Sequence, residues 1–168
     1  LDRLNRAMAA SARSGSHGAL LFIDLDNFKT LNDTQGHDMG DMLLRQVAQR
    51  FRQCIRNDDT AARQGGDEFV VLLTGLGMEG RDAAMAAESI AEKILTELNQ
   101  NYRLADSDHH CSASIGVTLF KGQATSVDDV MKQADLAMYR AKSSGRNAVR
   151  FFDPTMEAAI QARTLLEH

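Results

Sequence analysis

Two strand-like runs, Thr60–Gln64 and Asp67–Leu73, stand back to back with only Gly65-Gly66 between them. A glycine pair there reads as a tight hairpin, because primed two-residue turns need a positive φ that glycine adopts freely. That hairpin sits inside a chain that otherwise alternates helix and strand. Leu4, Met8 and Ala12 recur at helical spacing ahead of Gly15 and Gly18. Ala19–Asp24 is a continuous apolar run ending in an acid, the mark of a central strand covered on both faces. Met39, Leu43, Val47 and Phe51 predict an amphipathic helix from about 38 to 54. A second long helix is expected over 82–99, a strand over 111–120 and a third long helix over 126–144. Ser126 would cap that helix and Gly145 would close it. A last strand spans 148–152, and Pro154 opens a terminal helix at its first position. The order α β α β β α β α β α excludes a purely doubly wound sheet. It predicts an α+β sandwich, one mixed sheet covered by helices.

At 168 residues the chain fits one domain. Apolar residues at 43% and charged residues at 25% exclude a disordered chain. A net charge of −4 argues against a nucleic-acid partner, which would call for a basic excess. Cys54 and Cys111 are expected as buried free thiols in a reducing, cytoplasmic compartment. No apolar run approaches the ~20 residues of a membrane span. The chain opens in mid-pattern at Leu1-Asp2-Arg3-Leu4, as a fragment of a longer protein would.

Gly75-Leu76-Gly77-Met78-Glu79-Gly80 matches a dinucleotide fingerprint, but no acidic residue closes a strand about 20 residues later. A Walker A reading fails because Arg81-Asp82 stands where Lys-Ser/Thr is required. It reads as a strand-to-helix loop. His109-His110 has no metal-ligand spacing and reads as surface.

The chemistry gathers at two acidic places. Asp24-Leu25-Asp26 ends the first strand, and Asn27-Phe28-Lys29 follows in a turn whose N–H groups and lysine suit phosphate oxygens. Asp67-Glu68 follows the glycine pair, which lets a large anionic ligand approach the backbone. If the hairpin lies beside the first strand, Asp24 and Asp67 converge. Two carboxylates and a backbone carbonyl suit Mg²⁺ and metal-assisted nucleotidyl transfer.

Arg63-Gln64-Gly65-Gly66-Asp67-Glu68-Phe69 contains an intact GGDEF signature, and the chain resembles the GGDEF diguanylate cyclase family. Four further ordered segments agree. Asp24 through Asp33 resembles DxDxFKxxND, and Gly36 through Asp41 resembles GHxxGD. Ser114-Ile115-Gly116-Val117 is similar to the family's SIGV strand, and Ala134 through Asn147 to its ADxAMYxAKxxGRN segment. The likeness covers residues 1–153 as the GGDEF domain and leaves 154–168 as a C-terminal linker helix. The usual N-terminal DxLTxLxNR segment is missing, and Gln64 stands where the family more often has an apolar or aromatic residue.

The resemblance implies a mostly antiparallel central sheet flanked by helices, like a polymerase palm or a nucleotidyl cyclase. It implies condensation of two GTP into cyclic di-GMP with release of pyrophosphate. Asp24, the Leu25 carbonyl, Asp67 and Glu68 would hold Mg²⁺ (or Mn²⁺), with Glu68 also a candidate base for the attacking 3′-hydroxyl. Phe28, Lys29, His37, Gly65 and Gly66 would line the GTP site, and Asn32 and Asp41 would read the guanine edge. Lys29, Lys142 and Arg146 would clamp the phosphates. Arg56 and Asp59 form an RxxD pair like the family's product-inhibition motif, with Lys93 a candidate basic partner. Each domain would be a half-site, so catalysis would need an antiparallel homodimer. The parent protein would carry an upstream sensor, with or without a membrane anchor, and could carry a downstream EAL phosphodiesterase domain. The alternative is a catalytically silent module that binds GTP or cyclic di-GMP to control its neighbour.

Overall fold

A computed structural model describes the backbone of residues 2–167 and the side chains of residues 2–162. The elements are α1 (Asp2–Ser14), β1 (Gly18–Leu25), α2 (Phe28–Gln35), α3 (His37–Cys54), β2 (Thr60–Gly65), β3 (Glu68–Leu73) and α4 (Gly80–Leu98). They continue with β4 (Tyr102–Leu104), β5 (Ser107–His109), β6 (Ala113–Phe120), α5 (Val127–Ser143), β7 (Ala148–Phe151) and α6 (Pro154–Glu167). Five strands form one sheet in the order β2-β3-β1-β6-β7. Every pairing is antiparallel except β6 with β7. This is the expected α+β architecture. Among the described residues no helix is long and apolar enough to cross a membrane.

The apolar run of β1 occupies the middle of the sheet, and all eight of its residues are buried. Its alternate side chains serve two cores, as the period of a strand requires. Leu21, Ile23 and Leu25 pack with Leu43, Val47 and Phe51 of α3 and with Ala87, Ala91 and Ile94 of α4. Leu20 and Phe22 pack with Leu4 and Met8 of α1 and with Val130, Ala134 and Met138 of α5. Gly116 lets α5 lie against β6. A Cβ there would stand 2.1 Å from the Met138 nitrogen and 2.3 Å from the Ala134 oxygen.

Ser126 caps α5 as expected, its hydroxyl accepting from the Asp129 N–H at 3.1 Å. The glycine-rich 75–80 segment is tied to the α1–β1 loop. The His17 N–H donates to the Gly77 carbonyl (2.8 Å), the Leu76 N–H to the His17 carbonyl (2.9 Å) and the Gly77 N–H to Ser16 Oγ (3.1 Å). The Leu76 and Gly77 N–H groups are thus spent within the fold.

Three elements stand outside the expected order. Residues 28–35 form α2 where a turn was expected, and the β4–β5 hairpin fills the stretch before the strand that begins at Ala113. Arg50 fastens that hairpin to the core. Its guanidinium donates to the carbonyls of Glu97, Gln100 and Asn101 at 2.6–2.9 Å and lies 3.7 Å above the buried Tyr102 ring.

Candidate active site

Strand β1 delivers Asp24 and Leu25, both buried, to the end of the sheet. Beyond them Asn27 takes a left-handed conformation (φ 61°) and turns the chain into α2. Asn27 makes no side-chain capping bond; its Oδ1 accepts from the Arg146 guanidinium at 2.8 Å. The first N–H groups of α2 therefore lack a side-chain cap and stay available to an anion. Phe28 is buried and pins the first turn of α2 to the core, while Lys29 is exposed.

Gly65 pairs with Glu68, and the β2–β3 register slips between Arg63 and Gly65. The turn residues are thus Gly66-Asp67 rather than Gly65-Gly66, and Gly66 alone supplies the left-handed conformation (φ 53°). The bulge moves Asp67 out of the strand. Glu68 then sits directly opposite Asp24, which puts both carboxylates on one face of the sheet. Asp67 lies one step further out, tied to β1 by its carbonyl, which accepts from the Leu25 N–H at 3.1 Å. The strand partner of Asp24 is therefore Glu68, not Asp67.

Asp24 is 3% exposed. Its Oδ2 is ion-paired with Lys142 of α5, and its Oδ1 is buried without a partner. Among the described residues no three His, Cys, Asp or Glu side chains stand close enough together to hold a metal ion. The donors themselves fit Mg²⁺. Carboxylates and a backbone carbonyl are the hard oxygens it prefers, and a buried carboxylate oxygen lacking a hydrogen bond is stabilised by a cation.

Lys142 and Arg146 reach this corner through the end of α5. The Arg146 N–H donates to the Ala141 carbonyl (3.1 Å) and the Gly145 N–H to the Lys142 carbonyl (3.4 Å), the two bonds of a Schellman motif. Gly145 at φ 112° is the expected closing glycine. Burial, then the neighbouring Arg146 guanidinium, pushes the Lys142 ammonium below the usual lysine range.

Half-buried Asn32 and exposed His37 and Asp41 come from α2 and from the start of α3. Asn32 Oδ1 is buried without a partner. Gly40 makes room for it, since a Cβ there would lie 1.8 Å from that oxygen. The GHxxGD-like segment contains Gly40 but does not show this role, because the close approach comes from α2 folding back on α3. Next to Asp41 a groove of about 470 Å³ runs between α3 and β2, lined by Leu44, Arg45 and Arg63 above Phe51 and Phe69.

Arg56 and Asp59 lie at the other end of the β2–β3 hairpin, roughly 20 Å from the turn at strand rise. They form an ion pair, with Arg56 Nε 3.2 Å from Asp59 Oδ2. The Asp59 side chain is fully buried and also accepts from the N–H groups of Arg56 (3.0 Å) and Thr74 (3.2 Å). The Arg56 guanidinium, about half exposed, also donates to the Thr74 carbonyl.

The paired histidines are not both at the surface. His110 is exposed and its Nε2 contacts Asn99 Oδ1 at 3.0 Å, whereas His109 Nε2 is buried without a partner. Both cysteines are buried and free, as expected. Burial, followed by the charges of Asp26 and Asp67, pushes the Cys111 thiol up to about 12. Burial also raises Cys54. Only the thiolate reacts, so at pH 8 both cysteines should resist alkylation in the folded domain and react within minutes in denaturant. Mass spectrometry after iodoacetamide checks this; rapid native modification of Cys111 would refute its burial.

The family model for the diguanylate cyclase GGDEF domain matches residues 1–148. MucR of Pseudomonas aeruginosa, a bifunctional diguanylate cyclase/cyclic di-GMP phosphodiesterase, is 43% identical over 167 residues. That match covers 99% of this chain and 24% of MucR, so the chain spans about a quarter of that relative. The crystal structure of the GGDEF domain of TpbB (YfiN) from the same species superposes with a TM-score of 0.82 at 38% identity, over 89% of this chain and 91% of that one. The GGDEF domain of DgcB from Caulobacter crescentus, solved in complex with c-di-GMP, gives 0.78 at 32% identity, over 90% of this chain and 86% of that one. With the signature turn seated against β1, and with fold and family model agreeing over nearly the whole chain, the protein belongs to the GGDEF family of diguanylate cyclases.

Proposed function

We propose that this domain is one half-site of a working diguanylate cyclase. The observation that carries the reading is the corner where buried Asp24, with Glu68 opposite and Asp67 beside it, meets Lys142 and Arg146. Cation-seeking and anion-seeking groups share one place, as a metal–triphosphate ligand requires. Asp24, the Leu25 carbonyl, Asp67 and Glu68 would hold Mg²⁺ once the turn carboxylates close on Asp24, and the metal would supply charge neutralisation at the phosphates. The uncapped start of α2, Lys29, Lys142 and Arg146 grip the triphosphate, and Gly65 and Gly66 let it approach the turn. Phe28 fixes the first turn of α2 against the core.

Asn32 and Asp41 read the guanine edge, with His37 beside the base. Asp41 accepts from the paired N–H donors that adenine lacks, which selects GTP over ATP. The 3′-oxygen of one GTP attacks the α-phosphorus of the other, and the bond to the β-phosphate breaks. Pyrophosphate leaves, and Glu68 takes the hydroxyl proton. A single bound GTP cannot close the ring, so two copies face each other antiparallel and the step occurs twice. Arg56 and Asp59 bind the product and restrain the enzyme; for this the buried Asp59 must exchange part of its present bonding. In the parent protein α6 leads on from the domain towards a downstream partner, and an upstream sensor sets the encounter of the two copies.

The test is incubation of the concentrated domain with GTP and Mg²⁺, with products separated and weighed by mass spectrometry. The wild type should yield cyclic di-GMP, and the Asp67→Ala/Glu68→Ala double variant should yield none. GTP bound but unconverted, even with the upstream segment restored, would replace this reading by that of a silent regulatory module.

A further inference from the structure

Asp26 sits in the same acidic run as Asp24 yet faces a different task. It is 4% exposed, and its carboxylate accepts from three donors on two segments. Ser112 Oγ donates at 2.6 Å from just before β6, Ser114 Oγ at 2.8 Å from within β6, and the Asn147 N–H at 3.0 Å from the α5–β7 connection. The Asp26 N–H also donates to the Ser112 carbonyl at 2.9 Å. A carboxylate saturated by such donors has little left to offer a cation.

Among the described residues four non-glycine positions have positive φ, and three of them, Asn27, Arg146 and Asn147, surround Asp26. Asn27 is its chain neighbour, Asn147 donates to it, and Arg146 lies between Asn147 and the Asn27 side chain it contacts. Left-handed backbone at such residues persists only where the surroundings impose it. Asn147 is held a second time through its Oδ1, which accepts from Asn99 Nδ2 at 2.8 Å.

We infer that Asp26 is a positioning residue for the triphosphate clamp. It fixes the 146–147 connection against the β1–α2 turn, so that the Arg146 guanidinium and the start of α2 face the same ligand oxygens. Asp26 itself touches neither metal nor nucleotide. The inference rests on the GTP half-site reading given above.

The test compares a GTP analogue with a non-cleavable α,β bridge against guanosine, both by calorimetry in Mg²⁺, in wild type and Asp26→Asn. The amide keeps the shape of the carboxylate but turns one acceptor into a donor facing donors. The variant should bind the analogue about tenfold more weakly, the loss expected for one misplaced charge-assisted hydrogen bond. Guanosine affinity should stay within about twofold, and Mn²⁺ affinity, read from the resonance of the free ion, should not change, since the effect acts only through the phosphate oxygens. Asn27→Gly keeps the left-handed turn and removes only the Arg146 acceptor, so it should move the same ratio by about threefold.

Equal losses for analogue and guanosine would make Asp26 merely structural, and lost Mn²⁺ affinity would make it a ligand; either overturns the inference, as does an unchanged ratio. If Asp26→Asn does not fold, Ser112→Ala, which removes one donor, carries the same comparison with a drop of about threefold. A wild type that binds analogue and guanosine equally would instead refute the half-site reading.

Discussion

Asp24→Asn is expected to leave the domain folded and to cut cyclic di-GMP production by about a thousandfold. The side chain keeps its size, so neither core is disturbed; Asp24 lies at the strand end, outside both hydrophobic clusters. What disappears is the negative charge at a position 3% exposed to solvent. Without it a cation at this corner loses a buried carboxylate ligand, and Lys142 loses its ion-pair partner. Three measurements together check the prediction. Turnover should collapse, Mn²⁺ affinity should fall, and the melting temperature should stay within a few degrees of wild type, because the Lys142 side chain is 34% exposed and water can solvate its ammonium once the carboxylate is gone. Turnover above a tenth of wild type would remove Asp24 from the metal-binding role.

Gly116→Val is expected to be the most damaging single change to the fold, at about 3 kcal/mol or more. The atoms a side chain would strike are helix backbone, with the Met138 nitrogen at 2.1 Å and the Ala134 oxygen at 2.3 Å from the would-be Cβ. A flexible side chain could rotate away from such a contact; a helix main chain cannot. Helix α5 must therefore lift from β6, which empties the packing of Ala134 and Met138 and carries Lys142 away from Asp24. For a chain of this size a loss of about 3 kcal/mol lowers the melting temperature by roughly 6–12 °C. Thermal and urea melts measure it. A shift below about 2 °C would mean that α5 does not sit where the structure puts it.

Elements with a strong local signal were legible in the sequence. The unbroken apolar run of β1, the four-residue recurrence of α3, the Ser126 cap and the Gly145 stop each state their own structure. Helix α2 does not. In Phe28–Gln35 only Phe28 is buried, and the left-handed Asn27 before it makes no capping bond. The β4–β5 hairpin hides for a related reason. Its strands are three residues each, and the left-handed position in its turn is Ala105 (φ 54°) rather than a glycine or asparagine. The turn of the signature hairpin shifted by one residue because a bulge leaves no mark on a run of small and polar residues.

At the site the acids and bases were visible as residue types, and the signature pattern named them. Their partnerships were not visible. Asp24 meets Lys142, Asp26 meets Ser112, Ser114 and Asn147, and Gly40 yields space to Asn32, all across stretches of chain that only the tertiary fold brings together.

The slip in the β2 ladder has a consequence for how copies of this domain can meet. Strand β2 ends one side of the sheet, and an open strand edge invites another copy to pair along it and aggregate. Here the slip lies between Arg63 and Gly65, and both residues are exposed. A docking strand would lose its ladder at the slip and meet the Arg63 guanidinium beside it. Edge-to-edge growth of the sheet is thereby discouraged at the end that carries the signature turn.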